Sequence, residues 1–333
     1  MIYYTAGKLP FSKLYNIEAQ RELQNTVTGA PFPVEGQVLP FNHTPVFVPL
    51  LHVLMTDDYA SSYLRWTAIL WLAAFACMFM VFRMTGDATV ALAAGSFYPL
   101  FIYIQQAHDT VFLLLGLLLG AHLLLQRKDV LAGLALALMT LKPHFAIFLA
   151  IPLIARPKAL LGFCAGSAAL AAYSILLIGT NGVSDFIALL KISAGGEMFG
   201  VRPLWMFNLL GLMERAGVRP EIARPVAWVV FFLTAVGLLV LWRRNSLKPP
   251  FALTVLLAVF TSPHLYQHDL ALMLASFATL SKPNALFILA SSLALIVLNI
   301  IPNNSRFPVV YLFMGVVLIM SIEDLRRLRS TTA

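Results

Sequence analysis

Nine long apolar runs restrict this chain more than any other feature: about 62–82, 88–105, 110–126, 130–155, 159–179, 225–242, 250–280, 284–301 and 307–322. A helix needs roughly 20 apolar residues to cross a bilayer, and most of these runs are of that order. In hydrocarbon every backbone N–H and C=O must be satisfied within the structure, which leaves helices as the form such runs take. The runs 130–155 and 250–280 are too long for one simple crossing, and each is interrupted near its middle, by Lys142-Pro143-His144 and by Ser262-Pro263-His264. Proline removes a backbone donor and turns the residue before it away from helix, so each run is expected to be two helices meeting at a polar break. The fold expected is an all-α, polytopic integral membrane protein, one membrane domain over 1–333 with about eleven crossings and two broken helix pairs.

Charge gives the sidedness. Only 11% of residues are charged and the formal net charge is +8, against about a quarter charged in soluble domains. Short loops rich in Lys and Arg are retained in the cytoplasm. Arg83, Arg127, Lys128, Arg156, Lys158, Arg243, Arg244, Lys248, Lys282, Arg326, Arg327 and Arg329 fall on one side if each run crosses once and the two broken runs cross twice. Set against Asp87, Asp129, Glu323 and Asp324, these residues account for the whole surplus of +8, and the opposite face is neutral. A surplus made by topology does not point to nucleic acid, which would need a basic stripe interleaved with stacking aromatics. The expected location is the cell inner (plasma) membrane with the C-terminus cytoplasmic. The outer face then holds a first loop at 1–61 with interfacial helices, a second at 180–224 with short helices, and both polar breaks. Phe41–Met55 is apolar but short and carries Pro45 and Pro49, so it is expected to be interfacial or re-entrant. Cys77 and Cys164 sit inside apolar runs and are expected as small buried hydrophobes. Residues 1–40 are polar and assigned outside, yet no apolar run precedes them. A first transmembrane helix upstream of Met1 is therefore expected; translocation of a short tail by the first crossing pair is the alternative.

Polar residues held at membrane-edge breaks are costly and are functional candidates by default. Four clusters qualify, all on the outer face: Lys142 and His144; His264, Tyr266, His268 and Asp269; His108 and Asp109; and His43 within Phe41-Asn42-His43-Thr44-Pro45. Cations beside helix starts suit a phosphate at the membrane surface. Plainer readings stand beside this one. Lys142 can snorkel to headgroups, histidines can be packing residues, and Asp269 and Asp109 can stabilise the helix starts that follow them. The histidines match no zinc spacing, so no metal is expected. There is no phosphate-binding glycine loop, dinucleotide turn or nucleophile elbow, and no cofactor is expected.

Five elements, taken in order, resemble glycosyltransferase family 87. They are Leu39-Pro40-Phe41-Asn42-His43-Thr44-Pro45, Gln106-Ala107-His108-Asp109-Thr110, Leu141-Lys142-Pro143-His144, Met206-Phe207-Asn208-Leu209-Leu210-Gly211-Leu212, and Ser262-Pro263-His264-Leu265-Tyr266-Gln267-His268-Asp269-Leu270. The opening Tyr3-Tyr4-Thr5-Ala6-Gly7-Lys8 with Leu14-Tyr15-Asn16 resembles the family's first outer loop. The resemblance implies a GT-C fold and transfer of a sugar, mannose in characterised members, from a polyprenyl-phosphate carrier to a lipid or glycan acceptor outside the cytoplasm, with inversion. It also implies an Asp a few residues before Tyr3 as general base; Met1-Ile2 stand there, and Asp109 is the fallback base. Ala107-His108 stand where relatives commonly have Gly-Gln. Lys142, His144 and His264, with Arg202 from the loop before Met206–Leu212, are the candidates for holding the leaving phosphate. His43, Tyr266, Asp269 and Asn208 complete the expected substrate-binding set. A non-catalytic transporter or binder of lipid-linked sugars is the rival reading, since broken helices and a midplane site also mark transporters.

Overall fold

The computed structural model describes residues 1–31, 38–194, 202–244, 248–280, 283–300 and 307–332, and among them every regular element is helical. Among the described residues three helices are long and apolar enough to cross a membrane alone: Tyr59–Thr85, Pro157–Ala194 and Pro220–Arg244. Most of the other expected runs are built from shorter apolar helices, including Thr110–Leu125, Asp129–Leu136, Pro143–Leu153 and Ala285–Ile300, while the run 307–322 lies in the helix Phe307–Thr332. Large apolar side chains such as Leu72, Phe75, Leu161, Leu176 and Leu233 point outward along these helices, as membrane-facing positions must. Cys77 is buried as expected, but Cys164 is exposed, because it lies on the outward face of the Pro157–Ala194 helix.

Both Pro-His breaks form. The run 130–155 is Asp129–Leu136, a 3-10 stretch Ala137–Leu141, and then Pro143–Leu153. The run 250–280 is Lys248–Thr261, an irregular turn, a 3-10 stretch Gln267–Leu272 and Met273–Thr279. A third break was not expected. The run 88–105 divides into Ala88–Gly95 and Tyr98–Gln105, bent by 42°, where Pro99 at the start of the second helix takes the place of a continuing donor. Phe41–Met55 contributes the short apolar helix Pro45–Leu54, less than a crossing in length. Within Pro157–Ala194, Gly179 leaves the helical region at φ 68° and ψ 177°, a left-handed φ that glycine adopts without steric cost. The apolar run read from the sequence ends at this residue.

The chain groups into two compact units, Met1–Leu70 with Ala168–Arg202, and Trp71–Ser167 with Pro203–Ala333. In the first, Ile17–Thr28 is a polar helix capped by the Asn16 side chain, which accepts from Ala19 N–H at 2.9 Å. Its buried Gln20 and Gln24 hold an extended segment: Gln20 Oε1 accepts Phe41 N–H at 2.8 Å, and Gln24 bonds both the N–H and the carbonyl of Leu39 at 3.0 and 2.8 Å. Tyr3 stacks on Trp66 with centroids 5.4 Å apart and meets Phe41 edge-on at 6.1 Å, which forms this unit's aromatic core. In the second, Asp129–Leu136 packs so closely on the Pro157–Ala194 helix that a Cβ on Gly133 would strike the Ala159 carbonyl and one on Gly162 the Val130 carbonyl. Such backbone approach needs small residues. Pro143–Leu153 packs on Pro220–Arg244, and Lys248–Thr261 on Met273–Thr279.

Candidate functional site

Three helix starts come together in the second unit. Thr110 opens Thr110–Leu125, Pro143 opens Pro143–Leu153, and Gln267 opens Gln267–Leu272. Where they meet, Lys142 Nζ forms an ion pair with Asp269 Oδ1. Lys142 is 8% exposed and Asp269 is wholly buried. The Thr110 hydroxyl donates to the same Oδ1 at 3.1 Å and accepts from Lys142 Nζ at 3.5 Å. Asp269 Oδ2 accepts Tyr266 N–H at 3.3 Å, and Asp269 N–H donates to the Tyr266 carbonyl at 3.0 Å. A buried charge must be paired and hydrogen-bonded to persist, and helix N-termini favour a carboxylate. Asp269 has all three supports, so the helix-start role expected for it and its role as an ion-pair partner coexist.

Imidazoles surround the pair. His268 Nε2 is 3.6 Å from Asp269 Oδ1, its Nδ1 is 3.2 Å from Gln106 Oε1, and its ring stacks on His108 with centroids 3.9 Å apart at 15°. Tyr266 lies 6.1 Å from His268 and 4.9 Å from His264, and His264 lies 6.1 Å from His144, all between ring centroids. His144 Nε2 is shielded from solvent and has no hydrogen-bond partner among the described residues. No three His, Cys, Asp or Glu side chains among those residues converge as a metal would require.

The break that carries His264 is tied down by Asn208. Asn208 Nδ2 donates to the Ser262 carbonyl at 2.6 Å, its Oδ1 accepts Gly211 N–H at 2.8 Å, and Phe207 N–H donates to the Leu265 carbonyl at 3.2 Å. Ser262 Oγ donates to the His264 carbonyl at 2.7 Å and closes the turn locally. Tyr311 hydroxyl donates to the Asn208 carbonyl at 2.7 Å. The side chain of Asn208 is thus spent on capping Leu209–Arg215 and holding the break.

Lys142, His144, Asn208, His264, Tyr266 and Asp269 therefore gather around the two breaks of the second unit. Asp109 stands beside Thr110, 2% exposed, at the cap position of its helix but without a capping bond from its side chain. His43 and Arg202 belong to the first unit. There the His43 ring lies 5.3 Å from Tyr3 and its carbonyl accepts the Tyr15 hydroxyl at 2.9 Å, while Arg202 is half-buried. Gln106 and Thr110 stand at the two ends of one element of the resemblance but were not among the expected site residues, because nothing in their local pattern reveals a partner some 160 residues away. Ala107 is held at φ 58°, with His108 N–H bonded to the Tyr103 carbonyl at 2.8 Å and Ala107 N–H to the Ile104 carbonyl at 2.9 Å. This is a Schellman ending, which ordinarily places glycine at that residue.

The family model for glycosyltransferase family 87 matches residues 41–263. The match spans more than half of the chain, includes Lys142-Pro143-His144 and Asn208, and ends at Pro263 in the second break. Neither a curated protein nor a solved structure gives a match.

Proposed function

The chain belongs to glycosyltransferase family 87, and from that premise we propose that it moves a hexose, mannose, from a polyprenyl-phosphate carrier to an acceptor hydroxyl on the outer face of the plasma membrane, with inversion at the anomeric carbon. One observation carries the reading: Lys142 and His144, on one break, lie with His264, on the other, around buried helix starts. A sugar on a lipid phosphate is already activated. The acceptor oxygen attacks the anomeric carbon, the bond to the phosphate oxygen breaks with its electron pair leaving on phosphate, and the acceptor proton passes to a base. The protein's work is to position the donor, neutralise the phosphate as charge grows on it, and take the proton.

Lys142, His144 and His264 are proposed to hold the phosphate. Tyr266 is proposed to line the sugar or acceptor path, and Asn208 to act by holding the break. Asp109 is the carboxylate proposed as base, a role worth about 10²–10⁴ in rate. About eleven crossings with a cytoplasmic C-terminus would put both breaks on the outer face.

The test is transfer of label from mannosyl polyprenyl phosphate to membrane acceptors, in membranes containing the protein and no nucleotide sugar. Label should move from the lipid donor alone. Transfer that requires a nucleotide sugar even when lipid-linked mannose is supplied would contradict the proposal.

A further inference from the structure

We propose that Asp269 is a positioning residue of this site: it acts through Lys142, fixing the ammonium against the 262–266 break, and does not itself touch the donor. The proposal rests on the phosphate-site reading above. Asp269 is wholly buried and both carboxylate oxygens are engaged inside the protein. Oδ1 receives Lys142 and Thr110, from the starts of two helices. Oδ2 receives Tyr266 N–H, from the segment that presents His264 and Tyr266. One carboxylate thereby sets Lys142 and His144 relative to His264, across 127 residues of chain.

The chemistry of the ammonium agrees. Lysine has three N–H donors on a flexible stem; Asp269 and Thr110 engage two of them, which leaves the third for a phosphate oxygen. Holding the stem in place lowers the ordering cost that a donor would otherwise meet on binding. The opposite role is also physically possible, because a carboxylate beside the ammonium could compete with an incoming phosphate, and the two roles give opposite signs in one experiment.

The experiment measures Kd for polyprenyl phosphate, with uncharged polyprenol as control, on the full chain in lipid nanodiscs, together with Tm. The proteins are wild type, Lys142→Met, Asp269→Asn, the double variant and Thr110→Val. Lys142→Met and Asp269→Asn should each weaken phosphate-lipid binding by about tenfold or more, and Thr110→Val by about threefold. The double variant should bind no more weakly than Lys142→Met, because no ammonium remains to be positioned. Additive losses, tighter binding by Asp269→Asn, or a fall in Tm with an unchanged Kd would each overturn the proposal. If Asp269→Asn does not fold, Thr110→Val and its combination with Lys142→Met carry the same cycle. Failure of wild type to prefer polyprenyl phosphate over polyprenol would instead overturn the phosphate-site reading on which the proposal stands.

Discussion

Lys142–Asp269 in the second unit and Lys8–Asp57 in the first join the same two kinds of side chain across 127 and 49 residues of chain. Their surroundings make them different objects. Lys8 Nζ lies 2.6 Å from Asp57 Oδ1, but the Asp57 side chain is fully exposed, so water and salt screen the attraction. The hydrogen bond and charge of Lys8 hold the Asp57 carboxyl below its ordinary range, and Asp57 in turn raises Lys8. Any stabilisation from that pair is therefore present at neutral pH and lost as acid protonates Asp57. Lys142–Asp269 is shielded from solvent, with Asp269 wholly buried and Lys142 8% exposed. Coulomb attraction is stronger there, and loss of either partner strands a charge. What separates the pairs is the cost of breaking each one, which follows from burial and from the further hydrogen bonds that only Asp269 accepts.

The largest effect should come from breaking the buried pair on one side. Asp269→Ala or Lys142→Ala alone should destabilise the protein by about 3–5 kcal/mol, whereas joint replacement by apolar residues of similar volume should recover most of that loss. Thermal unfolding in detergent checks both, and equal losses in single and double variants would remove the distinction between the pairs. Next is Asn208→Ala, which deletes a helix cap and leaves the Ser262 carbonyl of the break without its side-chain donor. A loss of about 1–3 kcal/mol is expected, with weaker donor binding because the segment presenting His264 is released. Ala107→Gly should act in the other direction, raising stability by about 1 kcal/mol through relief of the left-handed alanine. A fall in Tm would show that the Ala107 methyl makes a contact that outweighs its strain. The smallest effect belongs to the exposed pair: Lys8→Ala should leave Tm and transfer unchanged within scatter in 0.15 M salt, and a loss matching that of Lys142→Ala would break the comparison.

The same contrast separates what the sequence reveals from what it conceals. Both Pro-His breaks, the end of an apolar run at Gly179 and the sub-crossing length of Phe41–Met55 were readable, because proline, glycine and apolar length act locally. The bend between Gly95 and Tyr98 is also local, and Pro99 was its signal, hidden inside an otherwise continuous apolar run. The partner of Lys142 was not readable. No periodicity relates positions 142 and 269, and their meeting depends on how Thr110–Leu125, Pro143–Leu153 and Gln267–Leu272 pack. For the same reason Asn208 was recognised as a candidate from its motif, while the fact that its amide is used to hold another segment emerges only from the fold.

The central claim is that the side chains around the buried pair hold the phosphate of a lipid-linked sugar, and His264→Ala tests it most directly. His264 lies on the break without being part of the ion pair, so its removal spares Lys142–Asp269. Transfer of labelled mannose from mannosyl polyprenyl phosphate should be compared in membranes holding equal amounts of folded wild type and variant. The expected result is a loss of rate of about 10² or more at unchanged Tm. Wild-type transfer by His264→Ala would contradict the assignment of the phosphate site to these two breaks.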